Sequence, residues 1–187
     1  MTQLLQRQAQ TIYHAITQHQ NENREHTPIL IAIDGRCASG KTTLAAMVQK
    51  LYGSKNCDVL HTDDFFLRPH QRTRRRLLQS GGNIDLERFC SEVLRFAIDG
   101  KPFTYRPYDC KSNQFRPERL IRPKDIILVE GAYSCHPKLW DNYQLHIFLT
   151  VSPEQQRQRI RARNGEDALQ LFVEKWIPLE EQYFRSF

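Results

Sequence analysis

Residues 35 to 43 read Gly35-Arg36-Cys37-Ala38-Ser39-Gly40-Lys41-Thr42-Thr43 and fill every required position of the G-x-x-x-x-G-K-[ST] pattern. The spacing carries chemistry. The glycines let successive backbone N–H groups curl inward into an anion nest, and the helix that follows turns its positive end toward the same anion. Gly35, Ala38, Ser39, Gly40, Lys41, Thr42 and Thr43 are therefore the expected phosphate-binding set. Lys41 is expected to face solvent until it meets β and γ phosphates, and the Thr42 hydroxyl is placed to ligate Mg²⁺. Two further acidic elements stand out, Asp63-Asp64 in Thr62-Asp63-Asp64-Phe65-Phe66 and Glu130 in Glu130-Gly131.

Each element follows an apolar run that reads as a strand: Ile29-Leu30-Ile31-Ala32-Ile33, Cys57-Asp58-Val59-Leu60-His61 and Ile126-Ile127-Leu128-Val129. A fourth strand is expected at Leu145-His146-Ile147-Phe148-Leu149-Thr150-Val151. Helical patterns alternate with them: a Gln-rich amphipathic helix over 2–20 (Leu4, Leu5, Ile12, Ala15, Ile16), one from Thr43, one over 85–99 and one begun by Ser152-Pro153. A last helix starts near Asp167. The alternation predicts an α/β fold with a doubly wound, mostly parallel sheet. If those strands run parallel, the loop, Asp63 and Glu130 emerge at one sheet edge, where open α/β sheets bind ligands.

The remaining segments divide by composition. Residues 21–28 form a polar connector, and Arg68 to Arg76 is a basic loop read as a solvated charge run. Residues 102–123, punctuated by Pro102, Pro107, Pro117 and Pro123, read as an irregular hairpin inserted over the cleft. We expect one domain over 1–187, with 1–27 as helix and connector and about 157–167 as a lid.

A length of 187 residues with 40% hydrophobic and 26% charged residues describes an ordinary globular chain able to bury a core. The five cysteines show neither C-x-x-C pairs nor metal-ligand spacing, so a reducing, cytoplasmic setting is expected. No apolar run approaches membrane-spanning length, so no membrane partner is expected. The net charge of +6 suits a nucleotide triphosphate as well as nucleic acid. The histidines stand among unlike neighbours and carry no functional expectation, and Cys37 reads as a small filler.

Together the phosphate loop with its double threonine, Asp63-Asp64-Phe65-Phe66, Glu130-Gly131 and the arginine-rich helix of Arg157, Arg159, Arg161 and Arg163 resemble the uridine kinase-like family of phosphate-loop kinases. That family includes uridine-cytidine, nicotinamide riboside and pantothenate kinases and phosphoribulokinase. The likeness spans about residues 29–184. It implies a three-layer α/β/α phosphate-loop fold with a small hairpin insertion, and ATP and Mg²⁺ as cofactors. It implies Asp63 as the catalytic base, Glu130 as the acid near Mg²⁺, Arg159 and Arg163 as lid arginines, and Lys41 as the phosphate lysine. Phe65, Asp85 and Tyr108 of Pro107-Tyr108-Asp109 are the implied substrate contacts, beside Asp63. The pattern departs at Asn113, where pyrimidine kinases carry a base-reading histidine. It departs again at the end, where the family continues into a further strand and an adenine-contacting loop; either the sheet is one strand short or the sequence is a fragment.

The expected activity is ATP-dependent phosphoryl transfer to the 5′ hydroxyl of a nucleoside, uridine or cytidine kinase-like. Alternatives are another small alcohol (nicotinamide riboside, pantothenate, a sugar phosphate), a nucleic-acid-associated NTPase using Arg68 to Arg76, or a catalytically weak nucleotide-binding regulator. A guanine-specific N-K-x-D motif is missing. The expected partners are the nucleotide triphosphate and a small-molecule acceptor; nucleic acid is disfavoured, and a homo-oligomer stays open.

Overall fold

The computed structural model describes residues 2–23 and 28–185. Four strands form one parallel sheet: β1 (Ile29–Gly35), β2 (Cys57–His61), β7 (Ile126–Glu130) and β8 (Leu145–Leu149), in the order β2-β7-β1-β8. Between β2 and β7 lie β3 (Phe103–Tyr105), β4 (Tyr108–Asp109), β5 (Gln114–Phe115) and β6 (Arg119–Ile121). β1 and β7 are buried at every residue, as parallel strands covered on both faces require.

The two-residue period of a strand divides the core between two faces. Ile29, Ile31 and Ile33 turn to one side with Ile126 and Leu128, against Leu44, Ala45 and Val48 of α2 (Lys41–Tyr52) and Leu5, Ala9, Ile12 and Ile16 of α1 (Thr2–Glu22). Leu30 and Ala32 turn to the other with Ile127 and Val129, against Phe65, Phe89, Val93, Leu139 and Tyr183. This is a three-layer α/β/α phosphate-loop fold. The buried face of α1 differs from the expected one: Leu4 and Ala15 are exposed, and Ala9 takes a place on it. The helix also runs on through Asn21 and Glu22, and the rest of the expected connector, 24–27, lies outside the described residues.

The helix expected over 85–99 runs from Leu86 to Ala97, with a π-helical turn at Cys90–Leu94. Asp85 caps it, accepting the Arg88 amide at 3.1 Å. The insertion is a nested pair of ribbons, β3 antiparallel to β6 and β4 antiparallel to β5. The arginine-rich helix, Pro153–Asn164, opens on Ser152, whose hydroxyl accepts the Gln155 amide at 3.3 Å. Helical chain then continues from Glu166 through Trp176 to a last helix, Ile177–Phe184.

Candidate functional site

Parallel pairing brings the three chemical elements to one edge, because Ile33 and His61 both lie opposite Glu130 in the register. Around that edge is a cavity of about 660 Å³, with Lys41, Thr42, Asp63, Glu130, Arg159 and Arg163 in its wall. These residues come from four separate parts of the chain, so the sheet is what assembles them.

The loop is built to hold an anion. Gly35 has φ +128°, and a Cβ there would stand 1.9 Å from the carbonyl oxygen of Leu149, so only glycine lets the chain leave β1 in this direction. Ala38 and Gly40 are also left-handed, at φ +59° and +106°, which gives the loop its curl. Ser39 Oγ is buried with no hydrogen-bond partner among the described residues, and Ser39 and Gly35 lie behind the cavity wall that Ala38, Gly40, Lys41, Thr42 and Thr43 line. Lys41 departs from expectation. It is 8% exposed, and its Nζ donates to the carbonyls of Gly35 (2.8 Å) and Arg36 (3.0 Å), so the loop's own carbonyls neutralise part of its charge and it braces the curl from within.

The Thr42 hydroxyl donates to Glu130 Oε1 at 3.0 Å, placing one hydroxyl and one carboxylate side by side. Among the described residues no group of three or more His, Cys, Asp or Glu could hold a metal. A hydroxyl and one carboxylate suit Mg²⁺, a hard cation that keeps waters and takes its other ligands from phosphates. Glu130 also accepts from Nδ1 of His61 at 2.5 Å, and that hydrogen bond raises the imidazole's pKa above its usual value, against the opposing effect of burial. His61 thus belongs to the site, contrary to expectation. Its signal was its position, the last residue of β2 and two before Asp63.

Asp63 and Asp64 are neighbours with different duties. Asp63 is open to the water of the cleft yet enclosed by protein around it, and its carboxylate accepts no hydrogen bond from any described residue. Desolvation by that enclosure, then the charge of Glu130, raises its pKa, while Lys41 and His61 oppose the shift. Asp64 turns away. Its Oδ2 accepts from Tyr105 Oη (3.0 Å) and Arg119 Nη1 (3.4 Å) of the insertion, and its carbonyl accepts from Arg88 Nη2 (2.8 Å).

Of the lid arginines, Arg159 donates to the carbonyls of Ala38 (3.0 Å) and Ser39 (3.4 Å), and Arg163 reaches Cys37 Sγ at 3.5 Å. Arg161 pairs with Glu166 outside the cavity, and Arg157 is exposed. Phe65, Asp85 and Tyr108 are not on the cavity wall; they stand behind it, 1%, 3% and 4% exposed. Phe65 packs against Phe89, Tyr105 and the Arg88 guanidinium. Asp85 spends its carboxylate on the helix cap and on Gln71 Nε2 (2.7 Å), and the Tyr108 hydroxyl on Asn113 Oδ1 (3.1 Å). These three support the wall, where the family pattern implied direct contact. The basic run is also more ordered than a solvated loop: Arg76 pairs with Glu87, and Arg72 is on the cavity wall, while Arg74 and Arg75 are exposed.

The last helix was not foreseen as part of the site. Glu181 grips the guanidinium of Arg36, Glu180 accepts from the amide of Cys37 (3.0 Å) and from Gln156 Nε2 (3.0 Å), and the Tyr183 hydroxyl donates to Asp34 Oδ2 (2.6 Å). Asp34 sits inside the sheet edge and also accepts from the amides of Gly35 (2.6 Å), Tyr133 (3.1 Å) and Cys135 (2.9 Å). Burial raises the pKa of both Glu180 and Asp34 despite these donors. The one sequence signal was a pair of acids, Glu180-Glu181, in an otherwise apolar helix.

No protein-family model matches the chain. It is 27% identical over 143 residues to a uridine kinase-like protein 3 of Arabidopsis thaliana, covering 71% of this chain and 30% of that protein. It is 25% identical over 187 residues to uridine-cytidine kinase 2-B of Danio rerio (88% and 71%), and 31% identical over 125 residues to a pantothenate kinase of Cutibacterium acnes (60% and 37%). The chain spans about a third of the length of the Arabidopsis relatives it matches. A solved structure described as a possible uridine kinase from Bacillus stearothermophilus shares the fold, with a TM-score of 0.59 at 20% identity over 76% of this chain and 81% of that one. With the phosphate loop, the Asp63 element and Glu130 on one sheet edge, these likenesses support a phosphate-loop kinase similar to the uridine kinase-like proteins.

Proposed function

We propose that the chain transfers the γ phosphoryl group of ATP to a primary hydroxyl of a small molecule, with the 5′ hydroxyl of a nucleoside as the first candidate. The observation that carries this reading is the unengaged carboxylate of Asp63 on the same cavity wall as Lys41, Thr42 and Glu130. A simple nucleotide sensor has no need of a carboxylate there.

Phosphoryl transfer asks mainly for positioning and charge neutralisation, because its transition state is loose. Lys41 exchanges the carbonyls of Gly35 and Arg36 for phosphate oxygens. Arg159 and Arg163, already resting on the loop, neutralise charge that develops on the transferred group and help exclude water. Thr42 and Glu130 would hold Mg²⁺, which would supply neutralisation of phosphate charge. Asp63 orients the acceptor hydroxyl and takes its proton late in transfer, so a modest base suffices. Its raised pKa strengthens it in that task.

A nucleic-acid-associated NTPase has less support, since only Arg74 and Arg75 of the basic run are freely exposed. Five cysteines without a disulfide among them support a cytoplasmic setting, and among the described residues no helix is long and apolar enough to cross a membrane. The test is ADP release with Mg²⁺-ATP over nucleosides, nicotinamide riboside, pantothenate and sugar phosphates, with the product assigned by phosphorus NMR. A 5′-monophosphate, and a 5′-deoxy nucleoside that binds without turnover, are expected. Transfer to a ring hydroxyl, or consumption of a non-nucleoside alone, overturns the nucleoside reading and spares the kinase. ATP consumption that needs no acceptor and rises with RNA or DNA overturns both.

A further inference from the structure

Arg72 is the member of the basic run that reaches the cavity, on a wall it shares with Asp63, Phe66, Leu67 and Tyr133. Its guanidinium is fixed from two directions. Nε donates to the Leu67 carbonyl at 2.9 Å, and Nη2 donates to Asn113 Oδ1 at 3.4 Å. Asn113 is itself held, since its Oδ1 also accepts the Tyr108 hydroxyl at 3.1 Å and its backbone is left-handed at φ +56°. Of the arginines around it, Arg76 pairs with Glu87, Arg88 with Glu92, Arg116 with Asp109 and Arg119 with Asp64, while Arg68 donates to the neutral Gln71 and Arg74 and Arg75 are exposed away from the cavity wall. Arg72 forms no ion pair with any described residue; both of its acceptors are neutral.

A guanidinium carries five N–H donors in a rigid fork. Nε and one hydrogen of Nη2 are spent and Nη1 donates to no described residue, so three donors remain, two of them on Nη1 at the terminal edge of the fork. That edge matches two oxygens of a carboxylate or a phosphate. The guanidinium is only partly exposed and lies against Leu67 on the cavity wall, so a paired anion there interacts more strongly than at an open surface. Asp63 is the acceptor-side carboxylate of the same cavity, so an anion on Arg72 belongs to the molecule whose hydroxyl meets Asp63.

We propose that Arg72 is a specificity-determining residue and that the acceptor is an alcohol bearing an anionic group, a carboxylate or phosphate seated on the open edge of its guanidinium. Asn113 is the positioning residue for it. The inference rests on the kinase reading for its geometry and departs from a neutral nucleoside as first candidate, leaving an anionic nucleoside or another anionic alcohol as the acceptor.

The test uses matched pairs that differ by one carboxylate: orotidine against uridine, pantothenate against panthenol, and D-glycerate against glycerol. Binding to the full chain is measured by calorimetry with a non-hydrolysable ATP analogue and Mg²⁺, and transfer by ADP release. The expected result is at least one pair in which the carboxylate member binds tenfold or more tightly than its neutral partner. Arg72→Gln abolishes that preference by weakening the anionic member while moving the neutral one less than twofold, and Arg72→Lys restores part of it. Because Arg72→Gln also frees the Leu67 carbonyl, Asn113→Ala is the companion variant, expected to reduce the preference about threefold with the Arg72 to Leu67 contact kept. Equal or tighter binding of every neutral member, no binding of any member, or a preference that survives Arg72→Gln overturns the proposal. The preference without ADP release from any pair supports the anion subsite and overturns the kinase reading alone. Adding a ribose phosphate in competition separates the two anions: displacement of the carboxylate member supports a subsite common to both, and no displacement supports one shaped for the carboxylate.

Discussion

Glu180 accepts a hydrogen bond from the amide of Cys37, inside the phosphate loop, at 3.0 Å. Burial raises the pKa of this carboxyl, so its ionised form is disfavoured in the folded chain relative to the unfolded one. Such a group favours the fold fully below its unfolded pKa, and that contribution is lost as pH rises through the folded value. Glu180→Gln keeps the acceptor for Cys37 and removes the charge. Thermal melts from pH 4.5 to 8 are expected to give nearly equal midpoints at the acid end. The variant should gain on the wild type as pH rises, reaching a plateau above the folded pKa. A variant that is less stable at pH 8 than at pH 4.5, relative to wild type, contradicts this.

Asp34 is surrounded by donors only: three amides and the Tyr183 hydroxyl. Asp34→Asn turns an NH₂ group toward two of them, and leaving buried donors unpaired costs about 1–3 kcal/mol. Tyr183→Phe removes one bond and leaves the amides served, so it is expected to cost about 1 kcal/mol. Urea melts rank the two. A Tyr183→Phe loss larger than that of Asp34→Asn would place the stabilisation in the tyrosine's packing against Tyr133 instead.

Lys41→Ala is expected to lower turnover by about 10²–10³-fold or more, the cost of losing one preorganised donor to developing charge. Because Nζ also bonds two loop carbonyls, the variant should lose about 1–3 kcal/mol of stability. Circular dichroism and ADP release read the two effects separately. Near-normal turnover in a folded variant would remove the phosphate-loop reading.

For the acidic pair, Asp63→Asn should reduce transfer by about 10²–10⁴-fold with nucleotide affinity little changed. Asp64→Asn should be milder in rate and cost about 1 kcal/mol of stability, since it weakens the tie to Tyr105 and Arg119. Single-turnover kinetics with a nucleotide-binding titration distinguish them, and equal rate losses would make the pair a single metal or structural unit.

What was legible in the sequence was whatever is local. The loop pattern, the strand runs and the Ser152-Pro153 start each lie within a short window and obey one period or one cap rule. The site's outer parts depend on pairing across the chain. Nothing near Asp34 announces that Tyr183 will meet it, and Asp85 and Tyr108 carry the same letters whether they face the cavity or stand behind it. His61 was readable as a strand residue. Its contact with Glu130 follows only from the register of β2 against β7. Lys41 was misjudged because a loop that curls tightly enough to cradle an anion also brings its own carbonyls within reach of Nζ.

The union of Asp34 and Tyr183 spans 149 positions, and it sets an order of events during synthesis. The phosphate loop leaves the ribosome well before the helix that grips Arg36, Cys37 and Asp34. At about 5–20 residues per second the interval is roughly seven to thirty seconds. During it the nascent loop lacks three of its anchors, and a chaperone or a nucleotide would meet a different object from the finished protein.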